Sequence, residues 1–81
     1  MNQREKKRFV VLGFTSTHDA LDAERLLDDL GVDVVPIPTP KSIGALCGIS
    51  LRVPSDEAER AKTYLERAEI HVIAEAEIED Y

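Results

Sequence analysis

Residues 9–14, Phe-Val-Val-Leu-Gly-Phe, form a short and almost wholly apolar run. A run of this kind bounded by polar residues reads as a strand buried in the middle of a sheet. Thr15-Ser16-Thr17 follows with hydroxyls suited to capping a helix, and Ser16 with Asp19 has the spacing of an N-terminal capping pair. The pattern then changes to helical period, with Ala20, Ala23, Leu27 and Leu30 on one stripe flanked by Leu26. Gly31 stands where such a helix stops. Residues 32–37 read as a second strand, and the prolines at 36 and 38 assign it to a sheet edge. Ile49, Leu51 and Val53 alternate with Ser50 and Arg52, the period of a third strand. Pro54-Ser55-Asp56-Glu57 opens a second helix with acidic residues at its electropositive end, and its stripe is Ala58, Ala61, Leu65 and Ala68. Residues 70–74 read as a fourth strand, continuing into the alternating positions 75–79.

The order is βαββαβ, an α+β arrangement of ferredoxin-like type. It predicts a four-stranded antiparallel sheet in spatial order 4-1-3-2, with two helices on one face and two weakly repeated halves. Residues 1–81 are expected to be a single domain, with residues 1–7 as a basic arm and 75–81 as an acidic tail. Helices cover only one face of such a sheet. Phe9 and Val11 alternate away from Val10, Leu12 and Phe14, so apolar residues on the bare face point to a homodimer through it.

Composition narrows the function classes. An 81-residue chain buries roughly 60% of its unfolded surface, and with no Trp its core falls to Val, Ile, Leu and Ala. No apolar run approaches the ~20 residues that span a bilayer, and no signal-peptide pattern follows the first residues. Residues 1–8 hold four basic side chains against Glu5, a net +3, so the remainder carries −9 of the overall −6. An acidic body argues against nucleic acid as a partner. The basic start and the acidic end instead suit each other as neighbouring strands, with Lys6 and Arg8 facing Glu75, Glu77 or Glu79. The carboxylates along both helices read as solvated faces, and no metal-ligand spacing is present.

Candidate chemistry therefore concentrates on Cys47, the only cysteine. It sits in residues 36–48, a stretch of turn formers between two strands, with Gly44 before it and Gly48 after it. The glycines would let the backbone take positive φ and leave the sulfur accessible. A lone thiol forms no intrachain disulfide and fits a reducing, cytoplasmic setting. In the predicted topology the loop shares a sheet edge with the start of the first helix. The helix N-terminus, Thr15, Ser16, Thr17 and His18 would then stand near the sulfur and favour its thiolate. His71 is expected at the same edge, exposed. An inert loop thiol is the plain alternative.

The chain resembles a family of small bacterial and archaeal selenium/sulfur carrier-like proteins. The resemblance rests on the strand ending at Phe14, on Ser16-Thr17-His18-Asp19-Ala20 with Glu24, and on Pro36 to Pro40 followed by Cys47-Gly48 and Ile49-Ser50-Leu51-Arg52. Here Ser42-Ile43 stands in reversed order to the family's Ile-Ser-like pair, and Leu46 replaces the glycine expected before the cysteine. The resemblance implies a stoichiometric carrier rather than an enzyme. Cys47 would hold the chalcogen as a persulfide or selenosulfide, on a loop shaped by Gly48, Gly44 and Ser42, with no cofactor and no metal. Its partners would be a sulfur or selenium donor protein and an acceptor protein, without nucleic acid or membrane. The rival reading is a ferredoxin-like interaction or regulatory module whose cysteine is incidental or redox-sensing.

Overall fold

The computed structural model describes residues 7–41, 43 and 48–80. Its elements run β1 (Lys7–Gly13), α1 (Thr17–Asp29), β2 (Val35–Pro38), β3 (Ile49–Pro54), a 3-10 turn (Ser55–Glu57), α2 (Ala58–Arg67) and β4 (Ala74–Asp80). All pairings are antiparallel and the sheet order is β2-β3-β1-β4, the predicted βαββαβ arrangement. One core cluster joins Val10, Leu12 and Phe14 to Leu51 and Val53 and to Ala20, Ala23 and Leu27 of α1. Ala58, Ala61 and Leu65 of α2 complete it, so both helices cover the same face.

Both helices begin and end for local reasons. The Ser16 hydroxyl accepts the Asp19 N–H at 3.1 Å, satisfying one free donor at the start of α1. At the other end Val32 N–H donates to Leu27 O at 2.9 Å and Gly31 N–H to Asp28 O at 3.1 Å. That is a Schellman closure, and Gly31 supplies its left-handed residue at φ 84°. α2 closes the same way, with Ile70 N–H to Leu65 O at 2.9 Å and Glu69 N–H to Glu66 O at 3.0 Å. The equivalent positions Leu27 and Leu65, Gly31 and Glu69, and Val32 and Ile70 are each separated by one constant interval, which makes the internal repeat visible. In the second copy, however, Glu69 holds φ 62° without being glycine. A side chain there costs about 1–2 kcal/mol, against the smaller entropic penalty of glycine. Glu69→Gly is expected to raise stability by about 0.5–1 kcal/mol, read as a higher urea midpoint at unchanged slope.

The closures move several predicted boundaries. Residues 32–34 and 70–73 are spent leaving the helices, so β2 starts at Val35 and β4 at Ala74 rather than at 32 and 70. Val32, Val34, Ile70 and Val72 still pack on the core from these connections. Leu30 and Ala68, expected on the apolar stripes, are the C-cap residues, where the helical period ends, and both are exposed.

The charge runs pair as adjacent strands should, in part. Arg8 meets Glu79 at 3.7 Å across β1 and β4. Glu75 turns instead to Lys62 on α2 at 3.1 Å. Hydrogen bonds that the Lys62 ammonium donates to Glu75, and then to Glu59, hold it above its ordinary pKa. Lys6 lies outside the described residues.

The face away from the helices is less bare than the alternation implied. Val11 is fully buried although it stands outside the core cluster. Its cross-strand neighbours are Arg52 and Ala76. The Arg52 guanidinium lies 4.2 Å from the centre of the Phe9 ring.

Candidate functional site

The hairpin between β2 and β3 is closed at its base by two polar contacts. Thr39 N–H donates to Gly48 O at 3.0 Å, continuing the β2–β3 ladder by one pair. Thr39 Oγ1 and Ser50 Oγ lie 2.8 Å apart, and Ser50 is fully buried. A buried hydroxyl without such a partner costs about 1–3 kcal/mol, so the pair fixes how the chain enters and leaves the loop. Beyond the base, Ile43 N–H donates to Pro40 O at 3.1 Å, folding the chain back on itself.

Gly13 is where this loop meets the sheet. A Cβ built on Gly13 would stand 3.2 Å from Ile43 Cγ2 and 3.6 Å from Ala74 Cβ. Gly13 alternates with Phe9 and Val11, so Ile43 covers the helix-free face at the end of β1. The loop was expected at a sheet edge beside α1. It does share the end of β1 with that helix, but Ile43 packs on the opposite face. Glycine inside a central strand permits this close approach.

The predicted companions of the thiol are placed as follows. Thr15 and Thr17 are exposed at the start of α1. Ser16 is engaged as the cap through its oxygen lone pair, leaving its proton to donate elsewhere. His18 is exposed and its Nε2 lies 3.2 Å from Asp22 Oδ2, one turn along the same helix. His71 is exposed ahead of β4 rather than within it. Gly48 is exposed but does not use positive φ, and a Cβ there would meet nothing, so its conformational freedom is not required. Cys47, Gly44 and Ser42 lie outside the described residues.

A family model described as "Putative Se/S carrier protein-like" matches residues 9–76. The chain belongs to this family. The match runs from β1 into β4 and takes in the whole β2–β3 hairpin. No curated protein and no solved structure matches the chain. In this carrier-like member, no helix among the described residues is long and apolar enough to cross a membrane.

Three residues that shape the hairpin were not singled out from the sequence as site residues: Gly13, Thr39 and Ser50. Gly13 had a readable signal, since glycine in an otherwise apolar central strand run marks a close approach. Thr39 and Ser50 had none, because a hydroxyl on a strand reads the same whether it faces water or a partner.

Proposed function

We propose that this family member carries a single sulfur or selenium atom on Cys47 and hands it to an acceptor protein. Two observations support the reading: membership of the carrier-like family over residues 9–76, and a composition in which Cys47 is the only thiol. For sulfur, the Cys47 thiolate attacks the outer sulfur of a donor persulfide. A bond forms between Cys47 Sγ and that sulfur, the donor's S–S bond breaks, and the donor cysteine leaves as thiolate. The acceptor's thiolate then repeats the exchange on the Cys47 persulfide. No net oxidation occurs and no cofactor is consumed, so the protein acts as a stoichiometric carrier in the reducing cytoplasm.

In this reading Gly44 and Ser42 shape the loop, while the Thr39–Ser50 pair fixes how the chain enters and leaves it. The start of α1, with Thr15, Ser16 and Thr17, offers hydroxyls and N–H groups that favour an anionic sulfur. His18 stands in the first turn of the same helix, with its Nε2 3.2 Å from Asp22 Oδ2.

The test is transfer from a persulfide-charged cysteine desulfurase, followed by intact mass. A gain of one sulfur atom is expected, reversed by a thiol reductant and lost in Cys47→Ser. A wild-type chain that stays unmodified with several charged donors, while its thiol still alkylates, would exclude the carrier role.

A further inference from the structure

The sheet has two edge strands, β2 and β4, and they differ in what they can bind. In β2 the Thr39–Gly48 bond belongs to the same ladder register as Val35–Arg52 and Ile37–Ser50. Odd-numbered residues therefore bond inward to β3, and Pro36 and Pro38 face outward. That edge lacks N–H donors at two successive outward positions and resists strand addition.

The same alternation carried across the sheet fixes β4. Leu51 and Val53 bond to Leu12 and Val10, so Phe9, Val11 and Gly13 bond to Ile78, Ala76 and Ala74. Glu75, Glu77 and Glu79 then direct their N–H and C=O groups out of the sheet. Their side chains share the helix-covered face with Val10 and Leu12. Ala74, Ala76 and Ile78 stand on the other face, half-buried.

Beside this edge, between β4 and α2, runs a cleft. One part, of about 250 Å³, has Val10 and Ala58 in its floor and Glu59, Glu75 and Glu77 around it. A second part, of about 270 Å³, is lined by Glu66, Ile70, His71 and Val72. The Lys62–Glu75 ion pair lies where the two meet. Arg8 engages Glu79 and Lys62 engages Glu75, but Glu77 makes no ion pair among the described residues.

We propose that the β4 edge docks an extended segment of another protein in which Lys or Arg alternates with small apolar residues. Residues paired with Glu75, Glu77 and Glu79 fall on the helix face. A basic side chain opposite Glu77 lays its stem over Val10 and Ala58 and brings its charge to the open carboxylate. The alternate residues extend the apolar surface of Ala76 and Ile78. Main-chain bonds supply affinity and the acidic rim supplies choice of partner. A second copy of this chain does not fit. Antiparallel self-pairing centred on Glu77 sets Glu77 against Glu77 and Glu75 against Glu79, and like charges directly opposite destabilise a sheet. The inference is independent of the chemistry assigned to Cys47.

The probe is a capped peptide of alternating valine and lysine long enough to span β4, with alternating valine and glutamate as control. Amide exchange at single-residue resolution is the readout. With the Val-Lys peptide about tenfold above its dissociation constant, exchange at Glu75, Glu77 and Glu79 is expected to slow by about tenfold. The Val-Glu peptide leaves it unchanged. Glu77→Pro removes one outward donor and leaves the β1 ladder intact, as the prolines of β2 do. Glu77→Lys reverses the charge instead, and each variant is expected to weaken binding by roughly five- to tenfold. Protection absent from β4, equal with both peptides, or spread over the acidic face of α1 overturns the proposal. So does protection that rises with protein concentration alone, which would assign the edge to a second copy.

Discussion

Replacing Val11 by aspartate is expected to destabilise the isolated chain by roughly 3–5 kcal/mol, combining lost apolar burial with the cost of burying a carboxylate. Val11 has no exposed surface, yet it lies on the face that the helices do not cover. It is already buried within the single chain, and its cross-strand neighbours on the adjoining strands are Arg52 and Ala76. A carboxylate at this position would sit among apolar groups, with only the Arg52 guanidinium within cross-strand reach. That guanidinium is stacked on Phe9, and leaving it would expose the ring.

The measurement is urea unfolding of Val11→Asp at two protein concentrations, beside Val11→Ala. The alanine variant loses only the transfer term, about 1–2 kcal/mol. If the face is closed by a second copy, the aspartate effect should instead depend on concentration and vanish in the monomer. A dilute Val11→Asp chain as stable as wild type would therefore remove the claim that this face is self-covered. Since a chain of this size has only about 4–12 kcal/mol of total stability, the expected loss is large enough to leave a measurable unfolded fraction.

How much of this was legible in the sequence depended on how local the cause was. The cap at Ser16 and the stop at Gly31 were readable because each is specified by a residue and its neighbours within one turn. The sheet order followed from the sequence of elements and the crossover rules. The stop at Glu69 was not readable, because the closure is made by backbone groups around a residue that ordinarily avoids that conformation. The starts of β2 and β4 were misplaced for a related reason. Val32 and Ile70 are apolar like strand residues, but they are consumed in closing the helices.

The candidate site divides along the same line. Cys47 is conspicuous from residue type alone, as the only cysteine in the chain, and it lies outside the described residues. Residue type does not by itself carry the roles given to Ser16 and His18 beside the thiol: Ser16 caps α1, as its spacing to Asp19 indicated, and His18 lies against Asp22. The cover over Val11 and the seat of Ile43 on Gly13 join residues far apart in the chain. No periodicity encodes such contacts, although the glycine itself marks the place.

Gly13→Val tests that seat directly. The Cβ alone would stand 3.2 Å from Ile43 Cγ2, tighter than ordinary contact, and valine adds two methyls to it. Ala74 Cβ and O, each at 3.6 Å, block relief on the β4 side. Overpacking of this kind costs about 1–3 kcal/mol, and the gain in strand propensity offsets at most ~1 kcal/mol. Ile43→Ala removes the opposing methyl, so the two substitutions should not add. A coupling of about 0.5–2 kcal/mol is expected from the double-mutant cycle in urea. A second readout follows the loop. Gly13→Val lifts Ile43 and Ile43→Ala deletes its anchor, so each should speed alkylation of Cys47, the thiol borne four residues further along. Strictly additive costs together with unchanged alkylation rates would show that Ile43 does not hold the hairpin to the sheet. The loop would then be positioned by its Thr39–Ser50 base alone.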